Sequence, residues 1–299
     1  MTAMLHCLVG DAADSIRAAL PGGRAAANDA DDAALIEVLT LSGLLDEPEL
    51  MALLLRRADE ERIAVAARAR SGRREARVLQ GLVSHDYGAV AAAAMALILG
   101  RGRRRDRFGQ CLISFDDLSA TSAEILVNAV AAGLRRESAV GRGPATADLE
   151  LSDASDRVLE NRDEERSVGT LTASLVHFLD ESGGLSEELI LAAAHEGEVS
   201  FVAEVLAWRA GVPTDSAMDE FLSGEAEHVM ALLRAAGMSR ELSAGLLAGI
   251  GDLLGIADAG AAIAVFDRLT DAEVQSARSW LVTAPTYRAA LERMGQGRG

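Results

Sequence analysis

From Leu185 to Met238 the chain reads LSEELILAAAHEGEVSFVAEVLAWRAGVPTDSAMDEFLSGEAEHVMALLRAAGM, four short apolar stripes cut apart by glycine, proline and serine. Leu185, Leu189, Ile190 and Ala193 recur at close to the period of an α-helix. Ser186 stands where a hydroxyl can accept a free backbone N–H of the opening turn, and Glu187 and Glu188 place negative charge at the positive end of the helix dipole. Gly197 stops that helix. Phe201, Val202, Val205, Leu206 and Trp208 form the stripe of a second, ended by Gly211 and Pro213. Met218, Phe221 and Leu222 suit a third, closed at Ser223-Gly224, and Val229, Leu232 and Leu233 a fourth, closed at Gly237. Helices this short are unstable alone. Each must bury its stripe on a neighbour, which is the logic of stacked helical hairpins.

Composition points the same way. Hydrophobic residues make up 49% of the chain but aromatics only 3%, so a core here is built from Ala, Leu, Val and Ile, which suits closely approaching helices better than broad sheets. The expected fold is all-α, a helical-hairpin array of the HEAT-like α-solenoid type, curved and right-handed, in two helical layers or subdomains. There is no lysine, which excludes a Walker lysine, a Schiff-base lysine and any lysine base.

Along the chain, a helix is expected near Asp11–Leu20, then a small polar loop over Gly22–Asp32, then a helix capped at Asp31 or Asp32 and broken at Gly43. Pro48 suits a first helical turn, where its missing N–H would be unpaired anyway, and opens a helix over Glu49–Ala58. Gly72 divides the alanine- and arginine-rich stretch that follows into two helices, with Ile63, Ala66 and Ala67 inward in one and Val78, Leu79 and Leu82 in the other. Asp86 caps a helix over Tyr87–Leu99, apolar on most sides and so central to the N-terminal half, ended by Gly100-Arg101-Gly102. Arg103–Ser114 reads as helical, and Asp116 or Asp117 caps a helix ending at Arg135-Arg136. The stretch ESAVGRGPATADLELSD, residues 137–153, keeps no helical stripe and reads as a linker. It separates an N-terminal helical repeat region, 1–136, from a C-terminal helical region, 154–299. A long helix follows over Asp153–Asp180, and helices over Ser239–Leu254, Ala257–Leu269, Asp271–Leu281 and Thr286–Met294 complete the array.

The pattern L-S-x-E-L-I-L-A-A-x-x-E-G, then A-G-V-P, then HVMALLRAAGM resembles the bacterial family called domain of unknown function 2336. AIAVFDRLTDAEVQSARSWL, followed by YRAAL, is similar to that family's C-terminal end. The likeness is best over Gly184 to Leu291. It implies an all-helical, HEAT-like protein and carries no catalytic residue with it.

Charge divides the chain. Net charge is −17 overall, yet Arg56–Arg107 holds thirteen Arg against six acids, a balance of +7, while residues 1–55 stand at −7 and 108–299 at −17. The candidate partner-binding residues are Arg68, Arg70, Arg73, Arg74, Arg77, Arg101, Arg103, Arg104, Arg105 and Arg107, because guanidinium groups grip carboxylate or phosphate in a bidentate fashion. Against this stands the simpler expectation that these arginines pair with the protein's own surplus of acids. Other chemistry finds no support. His195-Glu196-Gly197-Glu198 lacks the second His of HExxH, the five histidines are scattered, and Cys7 and Cys111 have no metal-ligand spacing. Gly249-Ile250-Gly251 with Gly255 has one residue too many for a dinucleotide fingerprint and follows no strand, so close helix approach is its expected role. The N-terminus lacks the basic start of a signal peptide, and the longest uncharged run, Tyr87–Gly100, falls short of the roughly 20 residues that span a bilayer.

The expectation is therefore a soluble, cytoplasmic protein without cofactor or metal, not an enzyme, that binds another protein as an adaptor or regulatory module. The alternative is a nucleic-acid-binding helical repeat using Arg56–Arg107 on phosphates. It is weakened by the near absence of aromatics for base stacking in that segment.

Overall fold

The computed structural model describes residues 1–21, 29–72, 77–106, 108–140 and 143–295. Among them the chain is all-helical, the one extended feature being an isolated bridge between Arg105 and Cys111. In order the helices are α1 (Thr2–Ala19), α2 (Asp29–Leu41), α3 (Pro48–Ser71), α4 (Val78–Leu82), α5 (Gly88–Arg103), α6 (Ala120–Ser138), α7 (Pro144–Glu160) and α8 (Val168–Glu181). Then come α9 (Glu187–His195), α10 (Val199–Ala210), α11 (Thr214–Phe221), α12 (Ala226–Ala235), α13 (Arg240–Ile250), α14 (Ala259–Arg268), α15 (Asp271–Val282) and α16 (Pro285–Arg293).

The chain divides into two compact units that interleave in sequence: Met1–Ala58 with Leu99–Thr170, and Asp59–Ile98 with Leu171–Gly299. In the first unit α1, α6 and α7 pack on one another and α2 lies against α6 and α1. Its core is aliphatic, with Leu8, Ile16, Leu39, Leu54, Leu126 and Val130 fully enclosed. Gly133 makes the α2–α6 approach possible, because a side chain there would run into the Leu35 side chain. In the second unit α10 is the enclosed element, packed by α9, α11 and α12, while α12 also meets α14 and α15, and α13 meets α9 and α14. Phe201, Val205, Leu206, Phe221, Leu232 and Leu246 are fully buried there. Gly245 and Gly249 set α13 down on α9, against Leu191 and the His195 ring, so Gly249 serves close helix approach as expected, whereas Gly251 faces the Leu247 backbone of its own turn.

The punctuation expected from Leu185 onward is present: Ser186 caps α9 by accepting from Leu189 N, and Gly197, Gly211 and Gly237 all adopt positive φ. Thr270 and Glu273 form a capping box at α15. The N-terminal half departs further from expectation. The first helix begins at Thr2, not near Asp11. Of the expected Gly22–Asp32 loop, 22–28 lie outside the described residues and Asp29 already opens α2. Pro48 starts α3 as expected, but the helix runs unbroken past Ala58 to Ser71, and Gly72, at a φ of +65°, ends it. Gly100 and Gly102 do not end α5, which continues to Arg103. Its apolar surroundings are one-sided, with Val90, Ala94 and Leu97 buried and Met95 and Leu99 exposed, and its residues up to Ile98 belong to the second unit.

Beyond Arg103, the last residue of α5, the helix expected up to Ser114 is absent among the described residues. Asp106 accepts from the backbone N–H of Phe108 and Gln110, Gly109 takes a φ of +78°, and the chain folds back so that Leu112 N donates to the Arg104 carbonyl. The expected linker is also a correction. From Pro144 it is helix α7, with Pro at the first position and Ala147, Leu151, Ala154 and Val158 buried at helical spacing against α1 and α6. The small residues that looked like linker composition are the ones that permit that contact. The long helix expected over Asp153–Asp180 is two, α7 and α8, parted by a turn at Asn161–Ser167 in which Asp163 caps a 3-10 segment.

Gly197 offers a sharp test. Its φ is +75°, and a methyl group there would stand 2.6 Å from the Ala64 Cα. Gly183, at φ +70°, has open space around it. Gly183→Ala should cost about 1 kcal/mol of backbone strain, and Gly197→Ala roughly twice to four times that, because neither backbone can give way. Urea unfolding followed by circular dichroism measures both, and equal losses would refute the close approach.

Candidate functional site

The arginines fall in both units. Arg68, Arg70 and Arg77 belong to the second and Arg101, Arg103, Arg104 and Arg105 to the first, while Arg73, Arg74 and Arg107 lie outside the described residues. Several are engaged within the chain. Arg70 is paired with Asp252 through both terminal nitrogens. Arg103 donates to the Arg166 carbonyl at 2.9 Å and Arg105 to the Gly109 carbonyl at 3.0 Å. Arg104 is buried, 8% exposed, with its Nε 2.8 Å from Asp117. A partner cannot reach that guanidinium, so Arg104 leaves the candidate set. The pairing of arginines with the protein's own acids, the simpler expectation, accounts for Arg70 and Arg104.

Asp117 is the centre of that arrangement. Its Oδ2 accepts from Arg104 and from Ser114 N, and its Oδ1 accepts from Val168 N at the start of α8, at 2.9 Å. Burial pushes its carboxyl up, but the Arg104 guanidinium and the two backbone N–H groups more than offset this and hold it below the usual carboxylate range. Asp116 or Asp117 is the cap expected for α6, but neither serves it. Ser119 does, accepting from Ser122 N at 3.1 Å.

Among the described residues the second unit buries Glu196, Glu198, Glu204 and Glu220. Glu196 accepts from Arg77 N and Val78 N at 2.7 and 2.8 Å, so it closes the start of α4. Burial pushes the Glu204 carboxyl up, and nearby Asp215 adds to the rise against the opposing effect of a hydrogen bond with Thr214. Among the described residues no three His, Cys, Asp or Glu side chains are grouped as metal ligands would be. In the first unit a cleft of about 380 Å³ opens between α1, α7 and Phe115, its wall formed mainly by Ala12, Ala18, Ala19, Phe115 and Val158 with Asp11, Ser15 and Asn161 among the polar groups. Desolvation and the charge of Asp14 raise the Asp11 carboxyl.

The feature sequence reasoning misplaced is Trp208. It was expected in the buried stripe of α10, yet it is 45% exposed, on a helix where every other position is buried or partly so. The His177 ring of α8 meets it edge-on, centroids 5.4 Å apart at 63°, and stands 5.5 Å from Phe178. His177 Nε2 is 3.4 Å from the Glu181 carboxylate, and both side chains are half exposed. Periodicity alone does not single it out, because Phe201 through Ala207 are buried on every side of α10.

A family model described as an uncharacterised protein conserved in bacteria, DUF2336, matches residues 36–279. The chain belongs to this family. The match reaches well upstream of the Gly184–Leu291 stretch that first suggested the likeness and stops short of Tyr287. Asp117, Glu196 and Trp208 all lie inside the DUF2336 span. No curated protein and no solved structure matches the chain. Among the described residues no helix is long and apolar enough to cross a membrane.

Two substitutions separate the roles of the buried acids. Asp117→Asn leaves a buried guanidinium without its counter-charge and should cost about 3 kcal/mol or more at neutral pH. Because the folded-state carboxyl is depressed, its stabilisation is present above the unfolded value near 3.8 and is lost as pH falls through the folded value, so the deficit should shrink in acid. Glu204→Gln should do the reverse. A raised carboxyl stabilises below its unfolded value near 4.5 and loses that contribution as pH rises through the folded value. The neutral amide should therefore raise the urea midpoint at pH 7 and bring no gain at pH 4.

Proposed function

We propose that this chain is a non-enzymatic protein-interaction module, an adaptor or regulatory scaffold acting in the cytoplasm, in which successive helix pairs are degenerate HEAT-like repeats. The observation that carries the reading is Trp208. α10 is the most enclosed helix of its unit, and its one exposed residue is the costliest side chain to leave in water. Tryptophan held by a rigid support and open to solvent is the typical anchor of a protein interface. The packing of α9 on α10, α10 on α11 and α11 on α12 supports the repeat reading.

The arginine segment supports an interaction less well, since Arg70, Arg103, Arg104 and Arg105 all donate hydrogen bonds within the chain. The same engagement weighs against the nucleic-acid alternative, which needs those guanidiniums on phosphates.

Affinity capture from native lysate with wild-type and Trp208→Ala baits tests the reading. Trp208→Ala removes a half-exposed indole and its edge-on contact with His177 but leaves the enclosed residues Phe201 through Ala207 of α10 in place, so the helix content seen by circular dichroism should be unchanged. A protein recovered in fixed ratio by the wild type, with or without nuclease, and lost from the variant is the expected result. A catch that ignores the substitution, or one that disappears with nuclease, refutes it.

A further inference from the structure

The Trp208 patch has a chemistry of its own. The indole rests on a helix that cannot shift without disturbing a closed core, so its exposed face is held in place before anything binds. His177 and Phe178 continue the aromatic surface, and in a chain with two Trp, two Tyr and six Phe this meeting of rings is a concentrated use of scarce residues. The Glu181 carboxylate stands beside it, 3.4 Å from His177 Nε2. The cation nearest in sequence, Arg209, does not compete for that carboxylate: its guanidinium donates to the Leu185 carbonyl at 2.8 Å and also touches the Met238 sulfur. Residues 171–299 carry nineteen Asp and Glu against eight Arg, a balance of −11.

An aromatic face with a carboxylate at its edge, in a field of negative charge, is complementary to a cation on an extended stem. Resting on the interaction reading above, we propose that the patch takes a basic segment of a partner protein. An arginine side chain of that segment lies on the Trp208 indole, and Glu181 answers its charge.

The probe is a blocked peptide of alternating glycine and arginine, compared with the same peptide carrying citrulline or glutamate in place of arginine. Trp280→Phe leaves Trp208 as the lone indole, so its fluorescence reports on the patch itself. The arginine peptide should quench saturably and bind roughly fivefold or more tightly than the citrulline peptide, which keeps the shape without the charge, and the glutamate peptide should not respond. Titration calorimetry should show the arginine affinity falling roughly fivefold or more in both Trp208→Ala and Glu181→Gln. Glu227→Gln, at an exposed acid of α12, should change it less than twofold. Equal binding of arginine and citrulline peptides overturns the proposal. So does a Glu227→Gln loss as large as that of Glu181→Gln, which would mean diffuse attraction to an acidic surface. A partner that is captured through Trp208 but binds independently of Glu181 and of salt would leave the interaction reading standing and remove the basic chemistry alone.

Discussion

A helix of two or three turns has nearly as many unpaired backbone groups at its ends as hydrogen bonds in its middle, and those groups must be satisfied before its apolar stripe can be buried. This fold meets the requirement with carboxylates lent from elsewhere in the same unit. Asp117 accepts from Val168 N at the start of α8, and Glu196 accepts from the first N–H groups of α4, which has only five residues and no side-chain cap of its own. Glu187 of α9 accepts from Ser239 N and Oγ where α13 begins. Glu47 and Glu49, at the start of α3, accept from Ser122 and Ser119 at the start of α6. Each contact places negative charge at a positive helix end and also ties two helices together. Part of the acid surplus of this chain is thus structural, and its buried acids at these positions are explained without catalysis.

That economy also explains which parts of the fold were legible in the sequence. From Leu185 on, the side chains that cap helix N–H groups are local, Glu187 at Ser239 apart: Ser186, Ser239, Asp258 and Thr270 each bond three residues ahead, and Gly197, Gly211 and Gly237 stop their helices through their own φ. Signals of that range can be read from neighbouring letters. In the N-terminal half the deciding contacts are long. Asp117 is 13 residues from Arg104 and 51 from Val168, and Glu196 is more than a hundred from α4. A pair of aspartates before an apolar run therefore looked like a cap for the next helix when one of them serves the helix after that. The stretch at 144–153 was misread for a related reason. Pro, Ala and Gly resemble linker composition, but α7 packs through Ala147, Leu151 and Ala154, where small side chains let α1 and α6 come close.

Trp208 illustrates the limit of periodicity from the other direction. A stripe shows which residues share a face but not how wide the neighbours' cover is. On α10 that cover takes in Phe201 through Ala207 without a break, so amphipathic contrast nearly vanishes and the helix reads as apolar throughout. One exposed position remains, and it holds the larger of the two indoles' exposed surfaces. A helix buried this completely needs no solvating residue for stability, so the choice of side chain at 208 is not dictated by the fold. Its pairing with His177 and Glu181 on α8 places an apolar ring, a titratable ring and a carboxylate within one small area of one unit.

The arginines differ from that patch in how much of their binding capacity is already used. A guanidinium that donates to a carbonyl or carboxylate of its own chain can engage a partner only by giving up that bond, and the exchange returns little net affinity. Arg104 cannot make the exchange at all, because withdrawing it would leave Asp117 charged and buried. Trp208 gives up only water. Where a surface has to be found by a partner without disturbing a fold whose helix ends are mutually capped, the position that costs no internal bond is the favoured one, and among the surfaces compared that position is on α10.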